Sequence, residues 1–225
     1  MKKAIIILFS GMLICSNFFA VAQNRPYTTK SGEFIFSFAN YKVKNAQVNT
    51  PLRFTCFFHA STLLHIDFNN HVGIYTGLGI RNVGFISENV DTLIKRRNYY
   101  VGIPLAIKLG NLGRDSYLYA GLEGELGLNY KEKMFINEAK INKFNAWFSD
   151  RTPLFMPSAF VGLNLKSGFN LKFKYYFYNF LEKGYDYTLN NVKVYQTTES
   201  RIFYFSLAYN VRNTKKFKRA FNKET

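Results

Sequence analysis

The sequence predicts an all-β fold, an eight-stranded antiparallel up-and-down transmembrane β-barrel. Three observations lead there. Apolar residues recur at every second position in run after run, the links between runs alternate short and long, and bulky apolar faces stand opposite faces that mix glycine with charge. Alternation with a period of two puts one side of a strand in an apolar phase and the other elsewhere. Composition agrees. The 225 residues include 24 Phe and 16 Tyr, which excludes a disordered chain, and two Cys exclude a disulfide scaffold. A mean hydropathy of -0.13, with no long apolar run beyond the N-terminus, excludes a helical membrane bundle.

The chain opens as an export signal. Met1, Lys2 and Lys3 form a basic start, Ala4 to Cys15 is apolar, and Ala20, Val21 and Ala22 make an A-x-A site before Gln23. This is what signal peptidase reads, so cleavage is expected after Ala22. Ile14, before Cys15, is too large for lipoprotein processing. Residues 1–22 are therefore expected to leave, 23–211 to form the barrel and 212–225 to trail as a basic tail. Cys56 is then the sole mature cysteine, without an intrachain partner.

Strands are expected near 33–42, 52–68, 71–86, 97–109, 116–130, 154–166, 170–183 and 199–211. The first carries Phe34, Phe36 and Phe38 on one side. The second is long, with a bulge or break near Ala60-Ser61-Thr62, and the third is glycine-rich (Gly73, Gly77, Gly79). In the fourth, Tyr99, Val101, Ile103, Leu105, Ile107 and Leu109 alternate with Tyr100, Gly102, Pro104, Ala106, Lys108 and Gly110. In the fifth, Leu118, Ala120, Leu122, Leu126 and Leu128 oppose Tyr119, Gly121, Glu123, Glu125 and Gly127. Two carboxylates in mid-strand demand a wet or ion-paired face. The seventh sets Leu171, Phe173, Tyr175 and Phe177 against Lys172, Lys174, Tyr176 and Tyr178. The eighth sets Phe203, Phe205, Leu207 and Tyr209 against Tyr204, Ser206, Ala208 and Asn210. Asn69-Asn70, Gly110–Asp115 and Ser167-Gly168 are tight links, while 43–51, 87–96, 131–153 and 184–198 are long ones, so the barrel has one plain and one elaborate end.

A soluble barrel would turn its apolar faces inward. The glycines beside long cations favour the opposite, because glycine makes room in a narrow interior and only weakens an exposed strand. Aromatics near strand ends (Tyr99, Tyr100, Tyr117, Tyr119, Tyr130, Phe155, Tyr185, Tyr187) are read as interfacial girdles.

On these residues the chain resembles the small eight-stranded outer-membrane barrels, most closely the PorT-like "outer membrane protein beta-barrel domain" group of Gram-negative Bacteroidota. The carriers are the AVAQ site (Ala20–Gln23), the run His71–Phe85, the strand pair within Tyr100–Tyr130 and the last strand Arg201–Val211. The resemblance implies an outer-membrane location with both termini in the periplasm. It also implies a non-enzymatic structural or accessory role in the envelope, associated with secretion or assembly. The chain departs from the pattern by continuing to Thr225 instead of ending on an aromatic last strand, so the insertion machinery would read an internal signal.

With apolar faces outward, the lumen is expected to receive Glu33, Arg53, Asp67, Arg81, Lys108, Glu123, Glu125, Lys166, Lys172 and Lys174. Eight strands leave an interior that side chains fill, and buried charges must pair, so an ionic plug in which Glu123 and Glu125 meet Lys174, Lys172 or Arg81 is expected in preference to a narrow cation or proton path. Lys95, Arg96, Arg97, Lys131, Lys133 and Trp147 are placed at the outer rim, facing anionic lipopolysaccharide head groups or a protein partner. His59 and His65, roughly 20 Å apart along one strand, do not suit a metal, and no cofactor is expected. His59 and Ser61 share a face, as in outer-membrane lipid A deacylases, but lack an evident acid. A lipid-active enzyme and a soluble exported ligand-binding barrel are the two alternatives. Export argues against nucleic acid as the partner of a chain with net charge +16. In the tail, Phe217 and Phe221 are spaced to lie on the inner leaflet, or the segment is solvated.

Overall fold

The structure, a computed structural model, describes residues 26–183, 185, 188–189, 192–193 and 198–213. The cleavage-site residues Ala20, Ala22 and Gln23, Tyr187, and residues 214–225 of the tail lie outside the described residues.

The ring is built from β1 (Tyr27–Val43), β2 (Ala60–Asp67), β3 (Val72–Asn89), β4 (Thr92–Asn111), β5 (Ser116–Ile136), β6 (Phe155–Asn164), β7 (Phe169–Asn179) and β8 (Thr198–Asn213). Each pairs antiparallel with its sequence neighbour. β8 then returns to β1, from Thr28 opposite Asn213 to Val43 opposite Thr198, and closes an eight-stranded barrel. Closure removes the sheet edges that an open meander would expose.

The tight links follow their side chains. Asn69 Oδ1 accepts from the backbone N–H groups of His71 and Val72, pinning the β2–β3 turn. Asn111 Oδ1 accepts from the Arg114 N–H and caps the single turn Leu112–Arg114 between β4 and β5. Gly168 has φ +88°, a left-handed value that glycine adopts at no steric cost, between β6 and β7.

The break in the second strand comes just before Ala60-Ser61-Thr62: Arg53–Thr55 pairs with β1, the chain leaves the sheet at Cys56–His59 with Phe58 at φ 63°, and β2 begins at Ala60. Two other features differ from expectation. The long links 87–96 and 131–153 contain much strand. β3, β4 and β5 continue past the rim to Asn89, Thr92 and Ile136, and Ala139–Trp147 folds back on β5. These segments have polar residues on both faces, so the period-two signal fades while the backbone ladder continues. The seventh strand ends at Asn179, and Phe180 and Leu181 turn inward, their N–H groups donating to the carbonyl and hydroxyl oxygens of Ser200.

Alternation fixes which face is which. On β4, Ile103, Leu105, Ile107 and Leu109 are 56–61% exposed, whereas Ala106 and Lys108 between them are at most 2% exposed. Leu118, Leu122 and Leu126 on β5, Val161 on β6, Leu171 on β7 and Phe205 on β8 also face outward. The barrel is thus apolar outside, the reverse of what a soluble ligand-binding barrel requires.

The interior has three layers. Tyr75, Ala106, Tyr117, Tyr119 and Phe160 pack near the short turns. Charged residues fill the middle. Toward the long links lies a larger apolar cluster that includes Tyr41, Phe85, Tyr100, Tyr130, Tyr176, Phe180 and Tyr204. This corrects the girdle reading. Tyr100, Tyr117, Tyr119 and Tyr130 are at most 5% exposed and point inward. Tyr100 shares parity with Lys108, and Tyr117 and Tyr119 with Glu123, while the extra residue at Leu128 shifts the parity of β5 and brings Tyr130 inward. The exposed aromatics at the border are others: Phe57, Phe58, Trp147, Phe148, Phe155 and Tyr178 toward the long links, and Phe169 and Tyr209 near the short turns.

Candidate functional site

The middle layer is built by alternate strands. β1 contributes Glu33, β3 Arg81, β5 Glu123 and Glu125, and β7 Lys172 and Lys174, three carboxylates against three cations. Arg81 Nε donates to Glu33 Oε2 at 3.1 Å, and its Nη1 reaches Glu125 Oε1 at 3.1 Å and also Glu123. Lys174 Nζ lies 2.7 Å from Glu123 and 2.8 Å from Glu125, and Lys172 Nζ lies 2.6 Å from Glu33. The Tyr176 hydroxyl donates to Glu125 at 2.6 Å and the Ser206 hydroxyl to Glu33 at 2.5 Å. Each charge thus meets opposite charge and hydrogen-bond partners, the condition under which buried ions are tolerated. Glycine makes the packing possible. A Cβ at Gly102 would lie 2.5 Å from Glu123 Oε1 and 2.7 Å from Glu125 Cγ, and one at Gly79 3.1 Å from the Arg81 guanidinium.

The remaining residues named for the lumen lie apart from this cluster. Lys108 pairs with Asp67 near the short-turn end, beside the Tyr27 hydroxyl. Arg53 is buried toward the long-link end and donates to Asn82 Oδ1 at 2.8 Å. Lys166 does not enter the lumen. It is exposed in the β6–β7 turn, beyond the last inward position of β6. Sequence reasoning missed Tyr176 and Ser206 as ligands of the carboxylates, although both share the parity of the charged face.

The rim residues divide by alternation, with the phase of β5 reversed beyond the extra residue at Leu128. Lys95, Arg97, Lys131 and Lys133 face outward. Arg96 does not join them: it turns inward, its Nε 3.1 Å from Glu132 and its Nη1 2.7 Å from the Ser87 hydroxyl, over the rings of Tyr41 and Phe85. Trp147 stands 69% exposed at the end of the returning strand. On the outward face like charges are juxtaposed. Lys95 is opposite Lys133, Lys133 opposite Lys143, and Arg97 opposite Lys131. The Lys133 ammonium is held below the usual lysine range, by partial desolvation and then by Arg97, Lys140, Lys143 and Lys95.

His59 and Ser61 do not form a nucleophile pair. His59 Nε2 lies 3.2 Å from the Thr55 hydroxyl and its Nδ1 accepts from the Asn82 N–H, while the Ser61 hydroxyl is bonded to Ser31 at 2.7 Å. His65 stacks on Tyr27 and shares a 2.8 Å hydrogen bond with Thr29.

The site and fold define a class, closed eight-stranded barrels with an apolar exterior and an ion-paired interior. No family model matches the chain, and no curated protein matches it. Among solved structures, similarity is found to the attachment invasion locus protein Ail of Yersinia pestis, in complex with the heparin analogue sucrose octasulfate. Identity is 13%, with 84% of this chain and 100% of that chain covered at a TM-score of 0.38. Neisserial surface protein A matches at 7% identity over 84% and 99% of the two chains, TM-score 0.41. OprG of Pseudomonas aeruginosa matches at 10% over 83% and 95%, TM-score 0.34. Similarity at this level transfers no function, and the barrel assignment rests on the closed hydrogen-bond ring. These comparisons do not show membership of the PorT-like group.

Proposed function

We propose that the protein is a non-enzymatic outer-membrane barrel whose lumen is plugged and whose working surface is its long-link end. The observation that carries this is the inverted radial order, apolar outside and ion-paired inside, which suits a lipid surround and no aqueous one. Export would follow cleavage after Ala22, with both termini in the periplasm and the β3–β4–β5 extension outside the cell. The outward series Phe203, Phe205, Leu207 and Tyr209 on β8 supplies the aromatic pattern an insertion machinery would read, internal to the chain. The role is structural or accessory, in contact with outer-leaflet lipid and with an envelope protein partner, in keeping with the resemblance to the PorT-like group. The separation of His59 from Ser61 gives the lipid-active alternative no support.

The test is expression in a Gram-negative host, followed by fractionation and gel electrophoresis with and without boiling. Recovery in the outer membrane with heat-dependent mobility is expected. Recovery as soluble periplasmic protein would overturn the reading. In planar bilayers the purified barrel should add no steady ion conductance, and stable single-channel steps would overturn the plug.

A further inference from the structure

The outward face of the extension holds a charge arrangement that the barrel itself does not need. Lys95 on β4, Lys133 on β5 and Lys143 on the returning strand stand side by side across three strands. Arg97 and Lys131 form a second row, and Lys140 lies opposite Phe135 on the same face. Like charges directly opposite destabilise a sheet. Among the described residues, none of these six has a carboxylate within ion-pair distance. Glu132, between Lys131 and Lys133 in sequence, is spent inward on Arg96 and Arg151. Glu88, at the far corner of this face opposite Leu93, accepts from Asn49.

The cations are also held in place. Lys131 Nζ lies 5.0 Å and the Arg97 guanidinium 5.8 Å from the centre of the Tyr99 ring, and Lys95 Nζ lies 5.2 Å from that of Phe135. Below Tyr99 on the same face of β4 come Val101, Ile103 and Leu105, the start of the apolar belt. Arg97 and Lys95 therefore stand two and four residues above the border, about 7 and 14 Å along a strand and less in height because barrel strands tilt. With that tilt Arg97 stands at the level of lipid head groups, which add roughly 5–8 Å to each side of the hydrocarbon core, and Lys95 stands just above them. The border itself is marked by exposed Phe58, packed edge-on against Tyr99, and by Trp147.

We infer that this two-row basic ladder is a binding site for the phosphate groups of an outer-leaflet glycolipid, whose acyl chains lie against the apolar belt below it. The inference rests on the outer-membrane reading above. A lipid is favoured over a soluble polyanion because the cations continue the lipid-facing side of β4 and lie beside the belt.

The experiment uses the full exported chain in detergent, with purified bisphosphorylated lipid A, the same lipid after chemical dephosphorylation, and sucrose octasulfate as probes. The wild-type protein is expected to bind bisphosphorylated lipid A, more weakly as salt rises, and to lose affinity for the dephosphorylated form. The K95Q/K133Q/K143Q variant is expected to bind about a hundredfold more weakly, at roughly fivefold per basic side chain, and K95R/K133R/K143R to keep wild-type affinity. Equal binding by the glutamine variant, or equal affinity for the dephosphorylated lipid, would overturn the inference. So would a preference for sucrose octasulfate that lipid A does not compete away, which would mark a soluble sulfated polyanion as the occupant. Each variant must show the boiled-versus-unboiled shift. Loss of that shift in the wild type sinks the outer-membrane reading itself, whereas a normal shift with unchanged lipid binding sinks only the ladder.

Discussion

Arg81 reaches three carboxylates on two strands, Glu33 across from β1 and Glu123 and Glu125 across from β5. Replacing it with leucine leaves three buried carboxylates facing Lys172 and Lys174. Removal of one member of a buried ion set costs about 3–5 kcal/mol, so Arg81→Leu should lower the unfolding free energy of the refolded barrel by that amount, read from a urea titration. The double variant Arg81→Leu/Glu123→Leu, which again balances the charge, should recover part of the loss. Gly102→Ala makes the complementary prediction. Its methyl group overlaps two carboxylate side chains, so the temperature at which the unboiled band converts to the boiled one should fall, while Gly113→Ala, in open space at a turn, should leave it unchanged. The charged members of this site were legible in the sequence because alternation alone carries Glu123, Glu125, Lys172 and Lys174 to one face. Their partners were legible only as a set, Lys174, Lys172 or Arg81 for Glu123 and Glu125. Which acid meets which base depends on the stagger between β1, β3, β5 and β7, and no single strand records its register against a non-neighbour.

At the scale of the elements, the chain beyond β7 does more than link strands. Phe180 and Leu181 are 1% exposed and pack on Phe85, Tyr130 and their neighbours, so this segment caps the plug from the long-link side. Phe180→Ala should cost about 3–5 kcal/mol, read as a lowered conversion temperature on the gel, with the barrel still inserted. The strands in the lipid-facing belt were readable because the outer side there takes an apolar residue at every second position. Above the belt both faces mix polar and apolar residues, so 131–136 and 139–147 read as loop although the ladder continues through them. Arg96 was misplaced for a related reason. Three consecutive basic residues look like one patch, but a strand sends the middle one to the opposite side. Tyr100, Tyr117 and Tyr119 fell to the same rule, since a strand-end position says nothing of face unless parity is followed from the belt, whereas Tyr130 turns inward because the extra residue at Leu128 shifts that parity.

For the molecule as a whole, the radial order is the feature most open to test. An outward charge in the belt meets hydrocarbon, so Leu105→Arg should destabilise the bilayer-inserted barrel by about 2–4 kcal/mol. The same change at Leu93, on the extension, should cost far less. Equal costs at the two positions in a lipid-bilayer unfolding titration would contradict a membrane boundary near Tyr99. If the barrel were a water-soluble one, Leu105→Arg would improve its solubility instead.

Glu33 accepts from Ser206 across 173 positions of sequence and pairs with Lys172 on the strand next to the last. The bonds from Glu33 to β7 and β8 therefore join the first strand to the last two, across the seam where the cylinder shuts. During biogenesis an open sheet would carry Glu33 at one free edge without these two partners, an ion waiting in a medium hostile to ions. Shutting the cylinder relieves that state, so the plug also sets a direction in time: Arg81 can reach Glu33 in the open sheet, but only closure brings Glu33 to Lys172 and Ser206.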